Sequence, residues 1–271
     1  MVASAGEYTL TPFARQLRLG GIIRRNALVT GAAGGIGRAT VETFAAAGWE
    51  TIAVDRREAG DFPSEVVFRQ ADVSDPNSVA ELFAWLRERT DGLAALINNA
   101  AIQIRKPFAE TTVQDWDASM ASNLSSVFLM AKEAHSLLRA AKGAIVNVSS
   151  VHAVATSVDS AAYAASKGGV LEMTRAMAME FASDRIRVNV VLPGAVDTPM
   201  LRAGLERRRA SSQSIDDQLQ DLGARTPLGR VGKPAEIAKA ILFLADNQQS
   251  SYITGEALIV DGGATARLSV E

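Results

Sequence analysis

Cysteine is absent from this chain of 271 residues, which excludes disulfide bonds and thiolate-bound zinc as sources of stability. Histidine is nearly absent as well. His135 and His152 are the only two, and they do not have the close spacing of a metal-binding pair. We therefore expect no metal site in this protein.

A large excess of charge and long apolar runs are also missing. Lysine and arginine number 28 against 30 acidic residues, so the formal net charge is −2. This balance argues against binding to nucleic acid or to an anionic membrane surface. No stretch reaches the roughly 18 consecutive apolar residues of a membrane span, and residues 1–22 lack the apolar segment of a signal peptide. We expect a soluble cytoplasmic protein, in which residues 1–22 form an extension and residues 23–271 a single domain.

Short apolar runs alternate with segments of helical periodicity from residue 26 onward. The apolar runs predict strands at 27–30, 51–54, 66–68, 94–97, 144–148, 186–191 and 257–260. Helical patterns lie at 38–48, 75–89, 115–140, 160–182 and 234–245. This alternation is typical of a doubly wound parallel sheet of about seven strands, with helices on both faces in three α/β/α layers. The region 198–232 is less regular, and we predict that it forms a substrate lid.

A glycine-rich turn follows the first predicted strand. Residues 30–37 have the sequence Thr-Gly-Ala-Ala-Gly-Gly-Ile-Gly and lead directly into a helix. Glycines allow the backbone to approach a phosphate closely, and a helix N-terminus supplies free N–H groups. Asp55 ends the second strand, where a carboxylate is able to bind a ribose hydroxyl. Together these features predict a dinucleotide site. A tight connection is the alternative interpretation of a glycine-rich turn that stands alone.

Tyr163 and Lys167 lie four positions apart in a predicted helix, so their side chains share one face. Ionising a free tyrosine at neutral pH costs about 4 kcal/mol. An ammonium group about 4 Å away, at an effective dielectric of about 20, stabilises the phenolate by a similar amount. The pair is thus able to act as an acid and base near neutral pH, although the ordinary interpretation of such a pair is a surface contact.

From about residue 23 the chain resembles the short-chain dehydrogenase/reductase family, in its single-domain branch. Residues 30–37 resemble the coenzyme signature of that family, and residues 98–101 resemble its Asn-Asn-Ala-Gly motif, with Ala101 in place of the final glycine. Residues 193–198 resemble the segment that lies against the nicotinamide. The catalytic serine, the Tyr-x-x-x-Lys pair and a supporting asparagine of the family match Ser150, Tyr163, Lys167 and Asn123. The resemblance implies a Rossmann-type fold.

The same resemblance implies an oxidoreductase that transfers hydride between a nicotinamide cofactor and a secondary alcohol or ketone. Tyr163 would exchange a proton with the substrate oxygen, and Lys167 would lower the pKa of Tyr163 and hold the nicotinamide ribose. Ser150 would hydrogen-bond the substrate oxygen. Ser149 is an alternative, but adjacent residues of an extended segment face opposite ways, and the spacing to Tyr163 favours Ser150. Asn123 would support a water-linked proton path from Lys167, unless it is a polar residue bonded to helix backbone.

The choice of coenzyme depends mainly on Asp55, because its carboxylate accepts hydrogen bonds from a free 2′-hydroxyl and repels a 2′-phosphate. We therefore predict NAD rather than NADP, although Arg56 or Arg57 is able to meet a phosphate. Asp72 resembles a residue near the adenine, with a helix N-cap as its plain alternative. The cofactor-binding residues that the resemblance implies are Gly31, Gly34, Gly35, Ile36, Gly37, Asp55, Arg56, Asp72, Val73, Asn99, Ala100, Ala101, Tyr163, Lys167, Pro193, Gly194, Val196 and Thr198.

The substrate pocket is predicted to lie between the segments 102–108, 151–160 and 194–225. The candidate substrate-binding residues are Gln103, Ser150, His152, Tyr163, Ala195 and Met200. For His152, an incidental loop residue without a partner is the alternative interpretation. This lining mixes polar and apolar residues, so it is compatible with a cyclic polyol, a sugar, a steroid or a hydroxyacyl compound as the substrate.

The resemblance also suggests a homotetramer, with the 160–182 helix and the last strand at its interfaces. A row of small residues on that helix would permit close packing, either between subunits or against the sheet: Ala161, Ala164, Ala165, Gly168 and Gly169. Two other classes of function remain as alternatives. One is an inactive dinucleotide-binding regulator or scaffold of the same fold. The other is a methyltransferase, which has no use for Tyr163 and Lys167.

Overall fold

The computed structural model describes residues 25–58, 60–207 and 213–266. Its strands are β1 (Asn26–Thr30), β2 (Glu50–Asp55), β3 (Val66–Gln70), β4 (Ala95–Asn98), β5 (Ala144–Val148), β6 (Arg187–Pro193) and β7 (Ala257–Val260). Its α-helices are α1 (Gly35–Ala46), α2 (Pro76–Arg87), α3 (Val113–Met120), α4 (Ser126–Ala141), α5 (Ala161–Phe181), α6 (Pro199–Arg207), α7 (Ile215–Ala224), α8 (Pro234–Ala245) and α9 (Asn247–Ser250). None of the helices in these ranges is long and apolar enough to cross a bilayer. The predicted extension at 1–22 lies outside the described residues.

The strands form one sheet in the order β3-β2-β1-β4-β5-β6-β7, and every neighbouring pair is parallel. β1, β4 and β5 are buried along their whole length, which explains why their sequences are continuous apolar runs rather than alternating patterns. All carboxyl ends lie at one edge of the sheet. The winding direction reverses between β1 and β4. The predicted doubly wound parallel sheet is confirmed.

Alternate strand residues enter two separate cores, one on each face of the sheet. Leu28 contributes to the core beneath α2, α4 and α5, where Phe83 and Met130 are also fully buried. Val29 contributes to the opposite core, beneath α1 and α8, together with Phe44. Burying one such side chain stabilises the fold by about 2 kcal/mol. The sheet is thereby packed between two helical layers, which hold the carboxyl ends of its strands in place.

The predicted helix at 115–140 is interrupted in the structure. α3 and α4 are separated by a π-helical segment at Ala121–Ser125. Asn123 lies in this segment, and its side chain bonds to Ile102 and Ser166. Segments of this kind are often found at functional sites. Hydrophobic periodicity did not reveal the interruption, because the partners of Asn123 are distant in sequence.

The small residues of α5 divide between the interior and the surface. A Cβ atom on Gly169 would lie 2.9 Å from the side chain of Leu124, so this glycine faces the protein interior. A Cβ on Gly168 would have no neighbour within 4 Å, and Ala165 is exposed. Within the small-residue row, Gly169 thus packs inside the protein, whereas no other side chain among the described residues covers Gly168, and Ala165 is exposed.

The predicted lid region contains α6 and α7. Arg202 of α6 donates to both carboxylate oxygens of Asp197, at 2.7 and 2.9 Å, and to Asp216 at 3.2 Å. These bonds connect α6 with the segment after β6 and with the first turn of α7. That the region 198–232 acts as a substrate lid stays a prediction.

Candidate active site

The candidate site lies at the carboxyl edge of the sheet. Thr30, Asp55 and Asn98 end β1, β2 and β4 there, and Val148 and Pro193 end β5 and β6. In doubly wound sheets, ligands bind in the crevice outside these strand ends, where the winding direction reverses. Most of the predicted site residues lie in the segments that follow these strands.

Two glycines of the turn after β1 are required by close backbone contacts. Gly31 has a positive φ of 66°, and a Cβ on it would lie 2.8 Å from the Cα of Ala100. A Cβ on Gly37 would lie only 2.0 Å from the carbonyl oxygen of Gly31. Asn99 fixes the turn from the β4 side by donating to the carbonyl oxygens of Thr30 and Gly31, at 2.9 and 3.2 Å. The turn is therefore packed too closely against β4 to accept larger residues.

The turn opens onto the N-terminus of α1. The N-cap residue Gly34 supplies no side-chain hydrogen bond, and no acidic residue occupies the first turn of the helix. Ile36 packs against the core beneath. The first N–H groups of α1 are thus left without a side-chain acceptor, and their partial positive charge favours an anion. A dinucleotide pyrophosphate fits this cradle, because its oxygens supply the acceptors that the helix end lacks.

Asp55 carries a carboxylate that main-chain donors hold in place. Its Oδ2 accepts from the N–H of Ala33, and its Oδ1 accepts from the N–H of Arg57, both at 3.0 Å. The Arg57 guanidinium approaches the same Oδ1 at 3.4 Å and is largely exposed. Arg56 is also exposed, and its carbonyl oxygen accepts from Gln70 at 2.8 Å. The Asp55 carboxylate is thus fixed beside the glycine turn, in a position suited to a ribose hydroxyl.

Asp72 lies in the turn after β3 and does not cap the next helix. Its Oδ1 accepts from the hydroxyl and the N–H of Ser74, at 2.6 and 2.9 Å, and these bonds hold the pKa of the Asp72 carboxyl below its usual value. The N-cap of α2 is Asp75, which accepts from the N–H of Asn77 at 3.0 Å. The N-cap interpretation of Asp72 is therefore wrong, because the helix begins farther along the chain. Val73, its neighbour, is buried in the core.

Ser150, Tyr163 and Lys167 meet beyond the end of β5. The Ser150 hydroxyl lies close enough to the Tyr163 hydroxyl to favour its ionised form and so to oppose the rise in its pKa. The Nζ of Lys167 donates to the carbonyl oxygen of Val148 at 2.8 Å and lies 5.7 Å from the centroid of the Tyr163 ring. Ser149 is used elsewhere, since its hydroxyl donates to the carbonyl oxygen of Lys167 at 2.7 Å. The structure thus brings Ser150, and not Ser149, beside the Tyr163 hydroxyl.

Burial changes the acid strength of both members of the pair. It raises the pKa of Tyr163 to about 12, while the hydrogen bond with Ser150 acts in the opposite direction. It lowers the pKa of Lys167 to about 8. Removal from water disfavours the phenolate and the ammonium alike. The attraction between the phenolate and the ammonium, which the sequence suggests, does not include this cost of burial. Lys167 alone therefore does not bring the pKa of Tyr163 to neutral pH.

The Asn123 side chain connects three segments of the site. Its Oδ1 accepts from the N–H of Ile102 at 2.8 Å, and its Nδ2 donates to the carbonyl oxygen of Ile102 and to the hydroxyl of Ser166, both at 3.0 Å. Both amide hydrogens are therefore in use. A water-linked proton path from Lys167 past Asn123 stays a prediction, and such a path would not use these hydrogens.

His152 has partners that the sequence did not reveal. Its main-chain N–H donates to the hydroxyl of Ser150 at 3.2 Å, and the Nδ1 of its ring lies 2.9 Å from the hydroxyl of Thr156. Its ring packs edge-on to Tyr163, with the ring centroids 5.5 Å apart. Burial, and next the charge of Arg105, lower the pKa of the imidazole. Contacts across an irregular turn follow no sequence period, so no pattern indicated Thr156.

The remaining candidates surround this centre. Gln103 is half-buried after β4, Ala195 is half-buried after β6, and Met200 is exposed at the start of α6. The segment after β6 crosses to the glycine turn, where the Cγ2 of Thr198 lies 3.3 Å from the position of a Cβ on Gly35. The other cofactor candidates of these two segments are buried or half-buried: Ala100, Ala101, Pro193, Gly194 and Val196. Across the described ranges, no three side chains of metal-binding type come together.

Comparison with known proteins agrees with this geometry. Residues 31–265 match the family model described as enoyl-(acyl carrier protein) reductase. An uncharacterized short-chain type dehydrogenase/reductase of Sinorhizobium fredii, y4vI, is 40% identical over 256 residues, which span 92% of this chain but only 44% of that protein. The 3-oxoacyl-(acyl-carrier-protein) reductase FabG of Thermotoga maritima is 37% identical over 246 residues, or 87% of this chain and 96% of that protein. The ligand-free aldohexose dehydrogenase of Thermoplasma acidophilum has a TM-score of 0.86 at 30% identity, over 92% of this chain and 96% of its own.

A parallel doubly wound sheet with a glycine turn and a buried Ser-Tyr-Lys cluster defines a class of oxidoreductases that bind nicotinamide dinucleotides. The matches cover most of this chain, so they identify the family to which it belongs. This chain belongs to the short-chain dehydrogenase/reductase family.

Proposed function

We propose that this protein is an NAD-dependent dehydrogenase/reductase that interconverts a secondary alcohol and a ketone, with Tyr163 as the acid and base. One observation carries the proposal. Ser150, Tyr163 and Lys167 meet at the same sheet edge as the glycine turn and Asp55. A bound nicotinamide supplies or accepts the hydride. The name of FabG, a 3-oxoacyl reductase, supports a ketone as the oxidised substrate.

The protonation states of the pair suit Tyr163 as a proton donor to a ketone. With a pKa of about 12 the phenol holds its proton at neutral pH, and with a pKa of about 8 Lys167 is mainly charged. As negative charge develops on the substrate oxygen, the phenol gives its proton to that oxygen. The Lys167 ammonium stabilises the phenolate that is left, and Ser150 hydrogen-bonds the substrate oxygen. In the oxidative direction the same transfers run in reverse.

Asp55 supports the preference for NAD over NADP. Each of its oxygens accepts one main-chain N–H, which leaves lone pairs for the hydroxyls of a ribose. A 2′-phosphate would be repelled by this carboxylate, and Arg57 would offset only part of the repulsion because it is largely exposed. We expect kcat/KM to favour NAD by about tenfold or more. Asp55→Ser should shift the ratio toward NADP, and equal or better wild-type activity with NADP would overturn the preference.

The catalytic role of Tyr163 is tested with Tyr163→Phe, which removes only the hydroxyl. Turnover should fall by about a hundredfold or more, the usual contribution of a general acid or base. Binding of NADH, followed by nicotinamide fluorescence, should stay near the wild-type level. The assay is a panel of secondary alcohols and ketones, including 3-oxoacyl thioesters, read at the nicotinamide absorbance band. Near-normal turnover of the variant would remove Tyr163 from this role, and NADH binding without wild-type turnover would favour the inactive regulator or scaffold.

We further propose that the protein acts in the cytoplasm as a homotetramer. Large apolar side chains are exposed on the elements named for the interfaces, with Met179 of α5 80% exposed and Ile259 of β7 43% exposed. Phe128 on the neighbouring α4 and Tyr252 before β7 are exposed as well. Apolar side chains that share a surface often mark contacts between proteins. Light scattering coupled to size exclusion tests the proposal, and a monomer at micromolar concentration would contradict it.

A further inference from the structure

His152 lies beside Ser150 and Tyr163, the two residues that bind the substrate oxygen in the proposed reaction. It follows Ser150 by two residues, and its main-chain N–H donates to the Ser150 hydroxyl at 3.2 Å. Its imidazole ring packs edge-on against the ring of Tyr163, with the centroids 5.5 Å apart and an interplanar angle of 81°. The proposed reaction puts the substrate oxygen between the hydroxyls of Ser150 and Tyr163. A substrate group that reaches the imidazole therefore lies only a few bonds from that oxygen.

One ring nitrogen of His152 is available for such a group. The Nδ1 is engaged by the Thr156 hydroxyl at 2.9 Å. Among the residues that the structure describes, none forms a hydrogen bond with the Nε2. The Thr156 contact fixes the ring orientation, so the Nε2 is held in one direction without further ordering.

The segment that carries His152 is itself held to the loop after β4. The main-chain N–H of Lys106 donates to the carbonyl oxygen of Asp159 at 3.1 Å, and the Arg105 guanidinium donates to the carbonyl oxygen of Val158 at 3.2 Å. These bonds join the two walls of the predicted substrate cleft. A group bound to the Nε2 thus meets an ordered partner, which reduces the entropy cost of binding.

The charge state of the imidazole selects the chemistry of its partner. Burial, and next the positive charge of Arg105, lower the pKa of His152 below its ordinary value, which favours the neutral ring. A neutral imidazole nitrogen donates or accepts one hydrogen bond, depending on the tautomer. A hydroxyl group serves either tautomer, because it is both a donor and an acceptor, whereas a carboxylate would favour a protonated ring.

We propose that His152 is a specificity-determining residue whose Nε2 binds a second hydroxyl of the substrate, on the carbon next to the reacting one. The substrate class is therefore a vicinal diol in the reduced form and an α-hydroxy ketone in the oxidised form. This inference rests on the proposed function, because it assigns the substrate class of the same site.

Three substitutions separate hydrogen bonding from packing. His152→Phe keeps a flat ring against Tyr163 and removes both nitrogens. His152→Gln places an amide near the position of the Nε2, and His152→Asn places one near the Nδ1. His135→Gln is the matched control, because His135 lies on α4 and pairs with Asp184 at 2.8 Å, away from the site.

The probes are cyclohexanol and the two 1,2-cyclohexanediols, each assayed with NAD and NADP. Wild type should prefer at least one diol, and His152→Phe should lower kcat/KM for that diol by about tenfold while changing cyclohexanol by less than about threefold, as the loss of one uncharged hydrogen bond predicts. His152→Gln should retain most of the preference, and His152→Asn should lose it. His135→Gln should behave as wild type.

A second measurement does not depend on turnover. Diethylpyrocarbonate modifies accessible neutral imidazoles, and mass mapping of peptides distinguishes His152 from His135. The preferred diol should protect His152 more than cyclohexanol does, with no difference at His135.

Equal losses of kcat/KM for diol and cyclohexanol in His152→Phe would overturn the inference in favour of packing alone. Unchanged diol activity in that variant would overturn it as well, as would a preference for 2-hydroxycyclohexanecarboxylate over the diols. If wild type turned over no alcohol or ketone with either cofactor, the proposed function would fail. Protection of His152 by the diol would still decide the inference in that case.

Discussion

Replacing Lys167 by methionine should stabilise the protein while removing its proposed activity. Lys167 is buried, and burial lowers its pKa from 10.5 to about 8. A shift of this size means that holding the charged group inside the folded protein costs about 3 kcal/mol at neutral pH. Methionine has a similar length and carries no charge. It leaves the carbonyl oxygen of Val148 without its donor, which costs about 1 to 2 kcal/mol. The free energy of unfolding should therefore rise by about 1 to 2 kcal/mol.

The pH dependence distinguishes buried charge from improved packing. The folded pKa of Lys167 lies below its unfolded value, so the unfolded chain binds more protons between about pH 8 and pH 10.5. Deprotonation of Lys167 therefore increases the free energy of unfolding of the wild type as pH rises from about 8 to about 10.5. The lost bond to Val148 does not titrate. The advantage of Lys167→Met should thus shrink by about 2 kcal/mol between about pH 7 and pH 9.5.

Urea unfolding followed by tryptophan fluorescence measures the difference at both pH values. Lys239→Met is the control, since Lys239 is exposed on α8 and its replacement removes a charge in contact with water. Its difference from wild type should be small and nearly independent of pH. The reasoning is refuted if Lys167→Met is less stable than wild type at neutral pH, or if its advantage is the same at both pH values.

Two further substitutions test other parts of the structure. Arg187 extends from β6 and donates to carbonyl oxygens at the end of α8, at 2.8 and 3.2 Å, so Arg187→Ala should lower the free energy of unfolding by about 3 kcal/mol in thermal denaturation. A loss below about 1 kcal/mol would mean that water replaces these bonds. Gly37→Ala forces a Cβ to within 2.0 Å of the carbonyl oxygen of Gly31, so NADH affinity should fall by about tenfold or more in a fluorescence titration. Gly168→Ala, which meets open space, should bind NADH normally.

The fold was predictable because its signals are local. Each strand is a short run of apolar residues, and the observed bounds of β5 and β7 coincide with the predicted 144–148 and 257–260. The glycine turn was predictable for a related reason. Residues 30–37 place every glycine within one strand-turn-helix unit, so the close approach of Gly37 to Gly31 depends on neighbours in sequence.

The parts of the site that could not be predicted depend on contacts between distant segments. Asn123 lies where the helical pattern is interrupted, and its side chain bonds Ile102, 21 positions away. The capping role considered for Asp72 failed because Asp75, a few residues later, is an equally good cap and begins the helix. The pKa of Tyr163 depends on burial by the surrounding fold, which a pairwise estimate from spacing does not contain. Local patterns thus identify the reacting groups, while tertiary structure decides how strongly each holds its proton.

The raised pKa of Tyr163 has a consequence for the direction of the reaction. A phenol with a pKa of about 12 is ready to donate a proton to a ketone, but removing a proton from an alcohol at neutral pH requires an ionised Tyr163, at a cost of about 7 kcal/mol. A positive charge brought within about 5 Å, at an effective dielectric of about 20, offsets about 3 kcal/mol of this cost, or about two pKa units. When bound at this site, the oxidised nicotinamide ring would supply a positive charge, whereas the reduced ring would not. Ultraviolet titration of wild type against Tyr163→Phe should therefore give a lower pKa for Tyr163 with oxidised than with reduced cofactor. Equal pKa values with the two cofactors would show that the charge of the nicotinamide does not control the base, and the full ionisation cost would then have to be met by Lys167, Ser150 and the substrate.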